Sequence, residues 1–183
     1  MWAEEVILNW RDNRLEFSAP RVRFLEEGKP MELLHNAEAV PFGFQITLWS
    51  GNRNHIFKTL TDRFVVSYGL WDEKYQVVKT QSPVRKVEHL SVVDAEKWCW
   101  EQMAMDVTGI GATEPLWVRL DVRAEDDKGS PLFAGSVGES GISLTSLVEL
   151  FSRPPRRGQS HWGPYEMGPF TLDELKRSPR RGS

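Results

Sequence analysis

Residues 41–80 read PFGFQITLWSGNRNHIFKTLTDRFVVSYGLWDEKYQVVKT, with apolar side chains at every second position in runs of strand length. A pleated strand turns alternate residues to opposite faces, so Phe42, Phe44, Ile46 and Leu48 share one face. Phe64, Val66, Tyr68 and Leu70 share another by the same rule. Ser50-Gly51-Asn52 and Trp71-Asp72-Glu73 are turn signals. Between them, residues 54–62 allow two readings: a helical turn carrying His55, Ile56, Phe57 and Leu60, or the first half of a long strand running to Leu70. Lys74 to Thr80 follows as a third strand, and Pro83 separates it from Val84 to His89. Sequential strands with short connections pair with one another, which makes this block an antiparallel meander.

Upstream, Val6 to Trp10 and Arg14 to Phe17 read as two strands joined at Asp12-Asn13, residues that favour tight turns. Val22 and Phe24 continue a strand after Pro20. Gly28-Lys29-Pro30 opens a short helix over 30–36, because proline in a first turn gives up no hydrogen bond. Downstream, Ser91 caps a helix expected over 91–107, with Asp94 three residues on and an acidic first turn that suits the helix dipole. Val92, Ala95, Cys99, Met103 and Val107 form its core face at 100° per residue. Trp98 and Met105 fall on nearly the opposite side.

Leu116 to Ala124 alternates cleanly. Leu116, Val118, Leu120, Val122 and Ala124 point in, while Trp117, Arg119, Asp121 and Arg123 point out. Asp126-Asp127-Lys128-Gly129 reads as a hairpin turn into Pro131 to Val137. A short helix over 144–152 carries Leu144, Leu147, Val148 and Phe151. The last segment is rich in Pro, Gly and aromatics, and its Thr171/Glu174 pair forms a capping box, with Phe170 and Leu175 as a hydrophobic staple, for a helix over 172–177.

The fold class expected is β-rich α+β: an antiparallel β-sandwich or a strongly curved meander sheet, with the 91–107 helix packed on it. One domain over 1–152, a segment over 153–177 docking on it and a disordered tail over 178–183 complete the organisation. At 183 residues, 40% hydrophobic and 27% charged, the chain has the composition of a globular domain able to bury one core. Its net charge of −3 divides unevenly, since residues 153–183 carry a net +4 and the remainder −7. Terminal basic segments are usually solvated, and the folded part lacks the single-faced basic stripe that nucleic-acid binding needs. Cys99 is alone, so packing and not a disulfide holds the fold. The opening Met1-Trp2-Ala3-Glu4-Glu5 lacks a secretory leader's basic and apolar regions. Two placements fit: a cytosolic protein, or a mature exported form in which Met1 replaces a removed leader.

Motifs for known chemistry fail at their essential positions. Ser136 to Ser143 has a serine and Ile142 where a phosphate-binding loop needs its first glycine and its lysine. Gly-x-Ser-x-Gly is not met at Ser140, which is followed directly by Gly141. His35, His55, His89 and His161 are too widely spaced for a metal motif, and no cofactor is implied. Asp121, Glu125, Asp126 and Asp127 are the weak calcium candidates, although acids there also suit a solvated hairpin. Asp72, Glu73 and His89 are the residues an unrecognised enzyme site would use.

The eight tryptophans point elsewhere. Trp49 and Trp117 lie on faces opposite their strands' core patterns, Trp98 lies off its helix's core face, and Trp162 sits near the C-terminus. Either both sheet faces are covered, partly by the C-terminal segment, or these residues form an interaction patch, since Trp and Arg concentrate at binding hot spots. The patch residues are Trp98, Met105, Trp117, Trp162, Trp49 and Arg119, and the partner expected is a protein. A cavity for a lipid or small apolar ligand between sheet and helix is the alternative.

The order of elements resembles an uncharacterised family of exported bacterial proteins, domain-of-unknown-function family 4390. The matching residues are Phe24 through Leu34 leading to Val40-Pro41-Phe42, Phe44 to Trp49, Phe64 to Tyr68, and Trp71 to Val77. The helix around Trp98 and the strand from Trp117 to Val122 follow in the same order, so the resemblance spans about residues 14–125. It implies a place in the bacterial cell envelope and no catalytic residue. The Arg-rich C-terminus departs from it.

Overall fold

The computed structural model describes residues 6–125 and 144–177. The hairpin expected from Asp126, the Ser136 to Ser143 run and the 178–183 tail lie outside the described residues. The chain runs β1 (Ile7–Arg11), β2 (Arg14–Ser18), α1 (Gly28–His35), β3 (Val40–Ser50), β4 (His55–Gly69), β5 (Lys74–Lys79), β6 (Arg85–Leu90), α2 (Val92–Gln102), β7 (Met105–Asp106), β8 (Leu116–Ala124), α3 (Leu144–Ser152), β9 (His161–Phe170) and α4 (Leu172–Arg177). Two antiparallel sheets result: a small one ordered β1-β2-β7 and a six-stranded one ordered β6-β5-β4-β3-β8-β9.

The meander read from residues 41–80 is present as β3 to β5, and β6 continues it. Of the two readings for residues 54–62, the long strand holds, as the first half of β4. The alternation expected of β3 and β8 also holds: Phe42, Phe44, Ile46, Leu48, Leu116, Val118, Leu120, Val122 and Ala124 are all fully buried. Phe44 sits at the centre of an aromatic cluster, its ring centroid 5.3 Å from Phe24, 5.0 Å from Phe64 and 5.0 Å from Trp100. Those edge-on contacts between β3, β4, α2 and the loop before α1 fill the interior between helix and sheet.

Several boundaries differ from the periodicity. Helix α2 starts as expected, with the Ser91 hydroxyl accepting from the Asp94 N–H at 3.2 Å, but ends at Gln102. Met103, Met105 and Val107 are all buried, a two-residue period that an extended backbone satisfies and a helix cannot. β7 pairs with Arg14 and Leu15 of β2, and the Val107 N–H reaches the Asn13 carbonyl at 2.9 Å, so extension supplies the small sheet's third strand. Val22 and Phe24 lie in consecutive turns and not in a strand, with Phe24 fully buried. Leu70 leaves its strand's face at the β4–β5 turn and is exposed. The C-terminal segment supplies β9, an edge strand paired with β8. Its capping box forms as read: the Thr171 N–H donates to Glu174 Oε2 at 3.0 Å and the Glu174 N–H to Thr171 Oγ1 at 3.2 Å.

Glu96 of α2 pins the loop that carries Phe24. It is buried, accepts from the Leu25 N–H at 3.2 Å and pairs with Arg23 Nε at 3.1 Å. Burial outweighs both partners and, with Glu26 and Glu27 nearby, lifts its carboxyl from 4.5 to about 7. The folded protein therefore retains a proton between those values that the unfolded chain releases. Stability from this group is fullest below 4.5 and declines as pH rises to about 7. Denaturant titrations at about pH 5 and pH 8 will show that decline, and Glu96→Gln will flatten it; parallel curves for the two proteins would refute the assignment.

Candidate functional site

The face of the six-stranded sheet opposite the phenylalanines is built by the other parity of the same strands. Register aligns Gly43 with Arg123, Gln45 with Asp121, Thr47 with Arg119 and Trp49 with Trp117 across β3 and β8, and Arg119 with Glu166 across β8 and β9. Paired residues point to one side of a sheet. This outer face divides into a covered half and an open half.

Helix α3 covers the Gly43 end. A Cβ on Gly43 would come within 2.7 Å of Leu150 Cδ2 and 3.2 Å of Phe151 Cε2, so the missing side chain makes the seat for the helix. Arg123, with 3% of its surface exposed, donates through Nη1 to the carbonyls of Leu150 and Arg153, each at 2.6 Å, and through Nη2 to Asp121 Oδ2 at 3.2 Å. Its guanidinium lies 5.0 Å from the centre of the Phe151 ring. The arginine thus supplies donors to carbonyls that the end of a helix leaves unpaired. Glu125 is buried beside Arg63 at 3.4 Å, and burial raises its carboxyl above the usual range against the pull of that arginine.

Of the four calcium candidates, two are described, and arginines stand beside both. Arg123 stands between Asp121 of β8 and Glu125 just beyond its end, and Asp121 pairs with Arg123 while Glu125 pairs with Arg63. No group of three His, Cys, Asp or Glu fit to hold a metal occurs among the described residues; Asp126 and Asp127 lie outside them.

The open half holds the tryptophans. Trp49 and Trp117, half-buried, are direct cross-strand partners. From the β3–β4 turn, Arg53 reaches over Trp49, its guanidinium 5.9 Å from the ring centre, and meets Glu166 Oε2 at 2.9 Å. Arg119 approaches the other carboxylate oxygen at 4.0 Å. Gly168 has φ +141°, and a Cβ there would fall 2.6 Å from Trp117 Cδ1 and 2.7 Å from the Leu116 carbonyl; glycine is what lets the indole lie against β9. A cavity of about 410 Å³ lies here, lined by Arg53, Trp117, Pro164, Glu166, Met167 and Gly168. That volume suits a few side chains of a ligand.

The structure brings Trp49, Trp117 and Arg119 together and places the other patch residues elsewhere. Met105 is 1% exposed in β7, which removes it from any surface. Trp98 packs edge-on against Phe64 at 6.1 Å, across the sheet from Trp117. Trp162 also lies on the inner side, 6.1 Å from Phe24 and 6.2 Å from Phe42, with its indole N–H donating to Glu27 Oε2 at 3.1 Å. Helical projection placed Trp98 off the core because it ignores how far an indole reaches back along the helix. No local signal joins Arg53 to Glu166, since 113 positions separate them and neither belongs to a motif.

Among the residues an enzyme site would use, Asp72 and His89 do meet, at 3.2 Å. His89 sits in the left-handed region at φ +57°. Both side chains are largely exposed at a shallow cavity of about 280 Å³. Trp71 is fully exposed at the tip of that hairpin. Cys99 is buried, which pushes its thiol well above the usual value, away from the thiolate that a nucleophile needs. No helix among the described residues is long and apolar enough to cross a membrane.

The fold and site define a β-rich protein of two antiparallel sheets with an aromatic and charged groove on one sheet face. Comparison with models of known families, with curated proteins and with solved structures finds no match.

Proposed function

We propose that the protein is a non-enzymatic binding module that holds a segment of a protein partner across Trp49 and Trp117. The observation that carries this reading is the cross-strand tryptophan pair beside a cavity rimmed by Arg53, Arg119 and Glu166. Tryptophan and arginine supply the largest contact energies at interfaces, and a half-buried indole loses little freedom on binding. The resemblance to domain-of-unknown-function family 4390 supports a partner in the bacterial cell envelope, and an antiparallel sandwich is the architecture in keeping with two antiparallel sheets whose buried residues belong to one core. The carrier alternative has less support, because phenylalanine rings and Trp100 occupy the space between α2 and the sheet.

A photo-crosslinking residue at Asn54, exposed in the β3–β4 turn beside the groove, in cells of the source organism, will trap a protein partner. Combining it with Trp49→Ala and Trp117→Ala, in a chain whose melting curve shows a retained fold, will reduce the adduct about tenfold or more. An undiminished adduct would mean that the partner binds elsewhere.

A further inference from the structure

We infer that the partner segment held on this groove is acidic: an extended peptide bearing a carboxylate next to an apolar side chain. This rests on the binding-module reading above and adds the chemistry of the ligand. Among the described residues, two guanidiniums, Arg53 and Arg119, share the single carboxylate of Glu166, leaving a surplus positive charge on the groove. The nearest further acid along the strand, Asp121, is committed to Arg123.

The two arginines are not equivalent. Arg53 holds Glu166 at 2.9 Å, whereas Arg119 stands at 4.0 Å with 41% of its side chain exposed. Arg119 is the loosely held cation, and an incoming carboxylate is its complement. Beside it the lining is apolar, with Trp117, Met167 and Pro164, which seats a hydrophobic neighbour of the acid.

The same geometry decides between ligand classes and between modes. A pyranose stacks its C–H face on a free indole, but the Arg53 guanidinium lies over the ring of Trp49, so the shelf favours a peptide over a sugar. Strand addition at the sheet edge is disfavoured because β9 is that edge and Pro164 and Pro169 lack the N–H a ladder needs. The segment lies across the face, where side chains and not backbone carry recognition.

The test is selection of phage-displayed random peptides against the full chain, with an array of neutral and acidic oligosaccharides probed in parallel. Selected peptides should share Asp or Glu beside an apolar residue. Their affinity should fall about tenfold or more with Arg119→Glu, which replaces attraction by like-charge repulsion, and selection on Arg119→Glu should return basic peptides. Peptides without acids, an empty selection, or oligosaccharides binding where peptides do not would each overturn the inference. Should Trp49→Ala and Trp117→Ala abolish partner crosslinking while Arg119→Glu leaves it intact, the binding module stands and the acidic ligand falls. Crosslinking insensitive to all three substitutions removes both.

Discussion

Arg123→Ala will lower the unfolding free energy by about 3–5 kcal/mol, the usual loss when one partner of a buried ion pair is removed. The substitution leaves Asp121, 5% exposed, without its arginine partner, strips the carbonyls of Leu150 and Arg153 of their donor, and withdraws the stack on Phe151. Denaturant midpoints will show the loss, and backbone exchange over residues 147–153 will rise more than over β3, because α3 loosens first. Removing both charges with packed apolar side chains, Arg123→Met with Asp121→Leu, should recover part of the stability, since no orphaned charge remains. An alanine variant within about 1 kcal/mol of the parent would show the pair to be solvated, as surface pairs are.

Phe44→Ala belongs to the same range, about 3–5 kcal/mol, for a different reason. The Phe44 ring meets Phe24, Phe64 and Trp100 at once, and its residue is fully buried. Truncation opens a cavity between β3 and α2 that close-packed neighbours only partly close. Phe44→Leu, which refills most of that volume, should cost clearly less. The groove on the opposite face keeps its groups, so peptide affinity measured well below the melting temperature should change little. Equal losses for alanine and leucine would mean that ring-to-ring geometry, and not volume, dominates at this site.

These two residues mark the difference between what was readable and what was not. Phe44 announces itself: it stands in an uninterrupted alternation, and the side-chain period of a strand admits one face for it. The same local rule locates β3, β5 and β8, and capping residues locate the start of α2 and the box of α4. Arg123 obeys the rule just as well, at an outward position among Arg119 and Asp121, yet only 3% of it is exposed. Alternation says which face a side chain takes and is silent on what later covers that face. Nothing local to β8 indicates that α3 will pack there, although Gly43, a residue without a side chain in the middle of a strong strand, was a trace of that close approach.

The binding groove divides in the same way. Trp49 and Trp117 were legible as outward tryptophans on two strands, while their pairing depends on register between segments far apart in the chain. Met105 shows the converse, since its helical projection put it on a surface, whereas pairing of β7 with β2 drew it into extended backbone and the core. From its amino acids alone the chain establishes strands, faces, caps and the phenylalanine core, because those follow from periodicities of two and 3.6 residues and from contacts a few positions apart. Which outer-face residues are covered by α3, and which meet as Arg53, Trp117 and Glu166 do, is set by tertiary packing, because the partners are brought together by sheet order and not by spacing along the chain.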